Sequence, residues 1–258
     1  MVMSRTTNGQ DNWVLLVGHG TRDADGEREF QACVAAVRAV AKGPVAAAYI
    51  EIRKPLVADA LIRLADQGAR SITVVPLVLT SGRHWDEDLP QALRAVWRPG
   101  LRLCYSRPLL HDEAVFALAR ERVRTAIARH QIGGGFGLWV IARGSHRAEV
   151  DREVGAFADR LGQAVGAVRT GHGYVSVGKP TLEDMLAGRR VVEPVVVFPL
   201  FLFAGVLTKR IASLVARSAA HERLCLAAHL GPDERLVRAI LRAANEAGPV
   251  TVANGTRT

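Results

Sequence analysis

Two patterns of apolar and polar positions alternate along the chain: short uninterrupted apolar runs, and longer stretches with apolar residues every three to four positions. The runs Trp13–Val17, Val45–Ile52, Ser71–Leu79 and Leu101–Tyr105 predict strands, each followed by a polar or Gly-containing turn. Between and after them, Glu27–Ala41, Leu56–Gln67, Asp86–Val96 and Glu113–Arg129 predict helices. Strands apolar on both faces and separated by helices predict an α/β fold with a parallel sheet covered on both sides. The segment HQIGGGFG (130–137) predicts a linker. Beyond it the pattern restarts, with strands expected at Leu138–Ala142, Val168–Val177, Pro194–Phe203 and Leu224–His229.

The restart is visible in residues as well as in pattern. VPLVLTSG (75–82) is matched by FPLFLFAG (198–205), AYIEIRKPLVADAL (48–61) by GYVSVGKPTLEDML (173–186), and LLVGHGTR (15–22) by VIARGSHR (140–147). Asp112-Glu113 opens the last helix of the first half as Asp233-Glu234 opens that of the second. The separations Gly20 to Gly144, Lys54 to Lys179, Gly82 to Gly205 and Asp112 to Asp233 all lie between 121 and 125 residues. Four elements in one order at nearly one spacing imply an internal duplication. The expected organisation is a first half over 13–130, a linker over 131–137 and a second half over 138–250, two doubly wound halves facing a cleft.

Composition narrows the function. The 258 residues are 49% hydrophobic and 23% charged, which suits folded domains and not a disordered chain. The longest apolar run, Val195–Leu207, is too short to span a bilayer and contains Pro199. The opening MVMSRTTNGQDN lacks an apolar signal core and reads as a lead-in. Cys33, Cys104 and Cys225 are far apart and odd in number, which excludes a disulfide scaffold and a Cys-based zinc finger and suits the cytoplasm. The net charge of +9, carried mostly by arginine, calls for an anionic partner. The basic residues are spread without a run of five, and aromatics are only 5%, so nucleic acid is not the expected one.

In open parallel sheets ligands sit beyond the carboxyl ends of the strands, so the loops that follow them hold the candidates. The first is Gly18-His19-Gly20-Thr21-Arg22; the second strand ends on Glu51; the third is followed by Thr80-Ser81-Gly82-Arg83-His84-Trp85-Asp86. Alternative readings are a tight turn with an incidental histidine, an outward-facing Glu51 paired with Arg53 or Lys54, and a loop whose Asp86 or Asp88 caps the next helix. Two imidazoles and a carboxylate converging from adjacent strand ends suit a divalent first-row metal such as Co²⁺, Fe²⁺, Ni²⁺ or Zn²⁺. HExxH, GxSxG, GxxxxGK[ST] and GxGxxG patterns are absent. The duplication sharpens the choice. His19, Glu51 and His84 fall opposite Arg143, Ser176 and Leu207, whereas Gly20, Lys54, Pro55, Pro76 and Gly82 have identical counterparts. The fold elements are repeated and the metal-type residues are not. Of the remaining histidines, His146 and His172 lie near second-half strand ends; His111 lies just before a helix, His130 abuts the linker, and His221 and His229 lie in the second half away from a Gly loop.

GHGTR, the Glu of AYIEIRKP, and VPLVLTSGRHWDEDLP together resemble the sirohydrochlorin chelatases, the class II chelatases of cobalamin and siroheme synthesis. FPLFLFAGVLTKRI and ARGSHR resemble the second half of the family's long, duplicated form. The resemblance covers most of residues 13–245 and implies insertion of Co²⁺ or Fe²⁺ into sirohydrochlorin. It makes His19 proton acceptor and metal ligand, His84 the second histidine, Glu51 the acidic partner, and Leu79, Thr80, Ser81, Gly82 and Arg83 a substrate-contacting loop. Where short members pair two chains, the two halves would serve within a monomer. No cofactor is implied, because the metal is itself a substrate. Sirohydrochlorin is rimmed with carboxylates, and Arg22, Arg53, Lys54, Arg83, Arg143, Lys179, Lys209 and Arg210 lie at or near predicted strand ends to receive them. The ligand set does not separate iron from cobalt. A carrier that binds tetrapyrrole or metal without turnover would share the basic character but need no base.

Overall fold

The parallel register of the strands fixes where the candidate loops emerge. The computed structural model describes residues 11–82, 89–188 and 192–250. In the first half the order is β1 (Asn12–Gly18), α1 (Ala24–Val40), β2 (Val45–Tyr49), α2 (Val57–Asp66), β3 (Ser71–Pro76), α3 (Leu89–Val96), β4 (Arg102–Tyr105) and α4 (Glu113–Arg129). The second continues with β5 (Gly137–Ala142), α5 (Ala148–Val165), β6 (Arg169–Tyr174), α6 (Leu182–Gly188), β7 (Val195–Pro199), α7 (Val206–Arg217), β8 (Leu224–Leu226), α8 (Glu234–Asn245) and β9 (Gly248–Pro249).

The strands form two sheets, ordered β2-β1-β3-β4-β9 and β6-β5-β7-β8. All pairings are parallel except that of β9 on β4. The chain steps from β1 to β2 on one side and then to β3 on the other, so β1 lies at a topological switch point, as β5 does in the second sheet. Burial explains the local structure. In α2 the buried positions Val57, Ala60, Leu61, Leu64 and Ala65 recur at helical spacing and pack on Leu15, Val17, Ala46, Ala48, Ile72 and Val74 of the sheet. A matching cluster in the second sheet joins Trp139, Ile141, Val175, Val195 and Val197 to Leu182, Ile211 and Val215. The matched Asp112 and Asp233 play one role: each carboxylate accepts the backbone N–H two residues on, from Ala114 at 2.7 Å and Arg235 at 2.9 Å.

The strands end earlier than their apolar runs. In the run Val45–Ile52 the strand ends at Tyr49 and a turn follows, in which Ile52 adopts a φ of 68° and the Arg53 N–H turns back to the Glu51 carbonyl at 2.7 Å. Glu51 therefore sits in the turn after β2 and not within the strand. The third run leaves the sheet after Pro76, where pairing with β1 ends at Val17. Of the Asp86–Val96 helix, Leu89–Val96 is observed, and residues 86–88 lie outside the described residues.

Two compact units emerge. One comprises the described residues up to Arg22, Gln31–Pro108 and those from Ile240 on; the other comprises Asp23–Phe30 and Leu109–Ala239. These are not the two halves of the sequence, since α4 packs on β7 and β8 and counts with the second sheet. Among the described residues, no helix is long and apolar enough to cross a membrane.

Candidate functional site

His19 and Glu51 are brought together by backbone bonds at the carboxyl ends of β1 and β2. The last pair of the ladder is Gly18 opposite Tyr49. It is extended by Ile50 N–H to Gly18 O at 2.9 Å and Glu51 N–H to His19 O at 3.1 Å. The next residue, Gly20, has a φ of +97°, and a β-carbon there would lie 2.0 Å from the Glu51 carbonyl oxygen. Only glycine permits this approach. It leaves the His19 Nε2 3.5 Å from Glu51 Oε1, with the two side chains 33% and 52% exposed. The His19 Nδ1 lies 3.2 Å from the Gly20 carbonyl. Bonding to that acceptor needs hydrogen on Nδ1, so in the neutral ring the lone pair is on Nε2, the atom facing Glu51. A metal held about 2.1 Å from each of two atoms 3.5 Å apart would make an angle of roughly 110° with them, close to tetrahedral. The pair therefore has the spacing of two ligands of one ion.

The third candidate, His84, and its neighbour Arg83 lie outside the described residues. Among those described, no three His, Cys, Asp or Glu side chains converge. Leu79, Thr80, Ser81 and Gly82 follow β3, beside β1 in the sheet, and are half-buried. Arg53 Nε donates to the Thr21 carbonyl at 2.6 Å, tying the Glu51 turn to the His19 loop.

The second half repeats this backbone with different side chains. β5 ends with Ala142 opposite Tyr174, and Ser176 N–H donates to Arg143 O at 3.1 Å. Arg143 thus stands where His19 stands in the first sheet. Gly144 repeats Gly20, with a φ of +96°.

The basic residues divide into two groups. Lys179 pairs with Asp184 at 2.8 Å, Arg210 with Glu183 at 2.6 Å, and Lys209 with Asp23 at 2.6 Å and Asp25 at 2.8 Å. Each of these three faces a carboxylate of the protein itself. Among the described residues, Arg22, Lys54 and Arg143 have no ion-pair partner. The sequence also did not single out Glu29, whose Oε2 accepts the Ala204 N–H at 2.6 Å and lies 2.9 Å from His229 Nε2. With Lys209 on Asp23 and Asp25, and Phe30 edge-on to Phe203, it fixes the first turns of α1, immediately after the His19 loop. The acidic run opening α1 was the available signal. His172 lies 3.1 Å from Asp151, which also accepts the Tyr174 hydroxyl. Cys33, Cys104 and Cys225 are buried free thiols, and burial pushes the Cys33 thiol up to about 12.

The paired carboxylates predict an acid limit to stability. Lys179 holds Asp184 down to about 2; Lys209 lowers Asp23, and Arg235 lowers Asp233. A carboxyl with a depressed folded pKa contributes stability above its unfolded value of about 3.9, and that contribution is lost as pH falls through the folded value. The melting temperature is therefore expected to fall progressively between about pH 4 and pH 2. A melting temperature flat across that window would show that these pairs stabilise nothing.

The CbiX family profile matches residues 13–126 and, a second time, 137–247. The chain belongs to the CbiX family. The sirohydrochlorin ferrochelatase of Bacillus subtilis (strain 168) is 26% identical over 239 residues, covering 90% of each chain. The sirohydrochlorin cobaltochelatase of Priestia megaterium is 25% identical over 213 residues, 78% of this chain and 68% of that one. In fold, the chain is similar to SirB from Bacillus subtilis with Fe³⁺, with a TM-score of 0.81, 24% identity, and coverage of 92% of this chain and 95% of that one. The double match of the CbiX profile mirrors the duplication seen in the two sheets.

Proposed function

We propose that this CbiX protein is a sirohydrochlorin chelatase, a lyase-type enzyme that inserts Co²⁺ or Fe²⁺ into the sirohydrochlorin macrocycle. The observation that carries the reading is the approach of His19 Nε2 to Glu51 Oε1, 3.5 Å apart at the switch point of the first sheet. Insertion exchanges two pyrrole N–H protons for one divalent ion. It needs a base near neutral pH and a metal held loosely enough to leave. Imidazole supplies the first. An incomplete set of His19, Glu51 and His84 supplies the second better than a closed four-ligand site. In this reading the first half carries the metal site and the second is a degenerate copy. The chain works as a monomer in the cytoplasm, the metal is the substrate, and no further cofactor takes part. Steady-state absorbance with sirohydrochlorin and each metal tests it. Many turnovers per chain are expected with at least one ion, and a single stoichiometric binding event with both would make the protein a carrier.

Arg22 and Arg143 are the arginines best suited to the carboxylates of the macrocycle, with the loop Leu79, Thr80, Ser81, Gly82 and Arg83 against the ring. Arg22→Ala and Arg143→Ala are each expected to raise KM about tenfold, about 1.4 kcal/mol, with kcat within about twofold. Arg53→Ala, which unties the two loops, should lower kcat as well. Initial rates against sirohydrochlorin concentration separate these outcomes. Loss of turnover at unchanged KM in the first two variants would remove their positioning role.

A further inference from the structure

Strand β2 is the outer strand of the first sheet, and its free edge is unusually equipped. Pro44 O and Ile50 N–H bond toward β1, so the odd-numbered residues Val45, Ala47 and Tyr49 turn their backbone groups outward. Two of these are already engaged. Arg38 Nε donates to Val45 O at 3.0 Å, and Tyr49 N–H donates to Pro55 O at 2.9 Å. With both ends stopped, a further strand cannot add along this edge. What remains is a cavity of about 430 Å³ running past Val45, Ala47 and Tyr49. That volume lies within the range of small-molecule sites.

Its charge is one-sided. Arg38 from α1, Arg63 from α2 and Lys54 from the turn after β2 line the cavity, and no acidic residue does. Among the described residues none of the three has an ion-pair partner. Elsewhere on the same unit Arg70 pairs with Asp11 and Arg98 with Asp66. The duplication provides a comparison within the chain. Lys179, the counterpart of Lys54, is held by Asp184 at 2.8 Å. Gly162 lies 124 residues after Arg38 and Gly188 lies 125 after Arg63, so both arginines are missing from the second half. There a β-carbon at Gly162 would come within 1.9 Å of Thr170 Oγ1, so α5 lies directly against the edge strand. At the matched described positions the second half has glycine in place of both arginines, and its helix closes on the edge strand.

We propose that the β2-edge cavity is a binding site for a small polyanion bearing two or more carboxylate or phosphate groups, separate from the His19–Glu51 site. Arg38 and Arg63, on different helices, each receive one anionic group through their forked donors. Lys54 adds charge without geometric demand.

Isothermal titration of the whole protein with pyrophosphate and with citrate, at low salt, tests this. Saturable one-to-one binding of at least one is expected. Tighter pyrophosphate marks the site as selective for phosphate, tighter citrate as selective for carboxylate. Arg38→Ala and Arg63→Ala should each weaken binding at least tenfold, while His19→Ala leaves it unchanged. Arg63 bonds to no backbone group of the edge strand, so Arg63→Ala keeps the test intact if Arg38→Ala fails to fold. Metal insertion by Arg63→Ala without added anion should equal that of the wild type. No saturable binding, binding indifferent to both arginines, or loss of basal insertion in Arg63→Ala would each overturn the proposal. None of these outcomes bears on whether His19 and Glu51 carry the chelatase reaction.

Discussion

His19→Ala is expected to slow metal insertion by ~10²–10⁴-fold, the usual contribution of a general base, while leaving the protein folded. In the proposed reaction the ring facing Glu51 accepts a pyrrole proton or holds the incoming ion, and a methyl group does neither. Stability should change by no more than about 0.5 kcal/mol, because His19 is a partly exposed loop residue outside both hydrophobic clusters. Glu51→Gln keeps the side-chain shape but removes the anionic ligand, so it should weaken metal affinity as well as rate. His84→Ala should do the same. His221→Ala is the control. That ring bonds to the Ser218 carbonyl at 3.0 Å on the second unit, and its loss should leave turnover close to wild type. The comparison needs insertion rates by absorbance and thermal melts on the same preparations. A His19→Ala protein that melts normally and still turns over near the wild-type rate would place the base elsewhere.

Much of this was legible in the chain, for identifiable reasons. Fully buried strands leave uninterrupted apolar runs, so both sheets could be located before their register was known. The register then settled a point the text of the repeat left loose. LLVGHGTR and VIARGSHR can be aligned at two offsets, but Gly18 opposite Tyr49 and Ala142 opposite Tyr174 set His19 on Arg143. Hydrophobicity could not show where strands end. Ile50 and Ile52 continue the apolar run, yet the strand ends at Tyr49, and Glu51 moves from strand to turn. Ion pairing was hidden for a different reason. Lys209 and Asp23 are 186 residues apart, and nothing local indicates that a basic residue near a strand end is already neutralised. The pair of Glu29 with His229, 200 residues apart, was hidden in the same way. Helix partnership was also illegible. The amphipathic pattern of α4 shows that it must bury one face, but not that the strands it covers are β7 and β8.

The duplicated glycines allow one lesion to be placed at two chemically different sites. Gly20→Ala puts a β-carbon 2.0 Å from the Glu51 carbonyl oxygen, and Gly144→Ala puts one 1.5 Å from that of Val177. Both residues have a φ near +96°, where an L side chain costs of order 1–3 kcal/mol before the clash is relieved. In each case the loop after the first strand of the sheet must move away from the turn after the second. Both variants should therefore lose several degrees of melting temperature, at roughly 2–4 °C per kcal/mol for a chain of this size. Their kinetics should differ, because the residue carried by the displaced loop differs. In Gly20→Ala the loop carries His19 away from Glu51. A misplacement of about 1 Å costs on the order of 10²-fold in rate, so kcat should fall by about that factor. In Gly144→Ala the loop carries Arg143, whose proposed role is to meet substrate carboxylate and not to transfer a proton or metal, so KM should rise and kcat should stay within a few-fold. Melts identify the shared backbone cost, and the split between kcat and KM identifies which half performs the chemistry. Equal loss of kcat in the two variants would mean that both sheets carry catalytic residues, and the assignment of the reaction to the first half would fail.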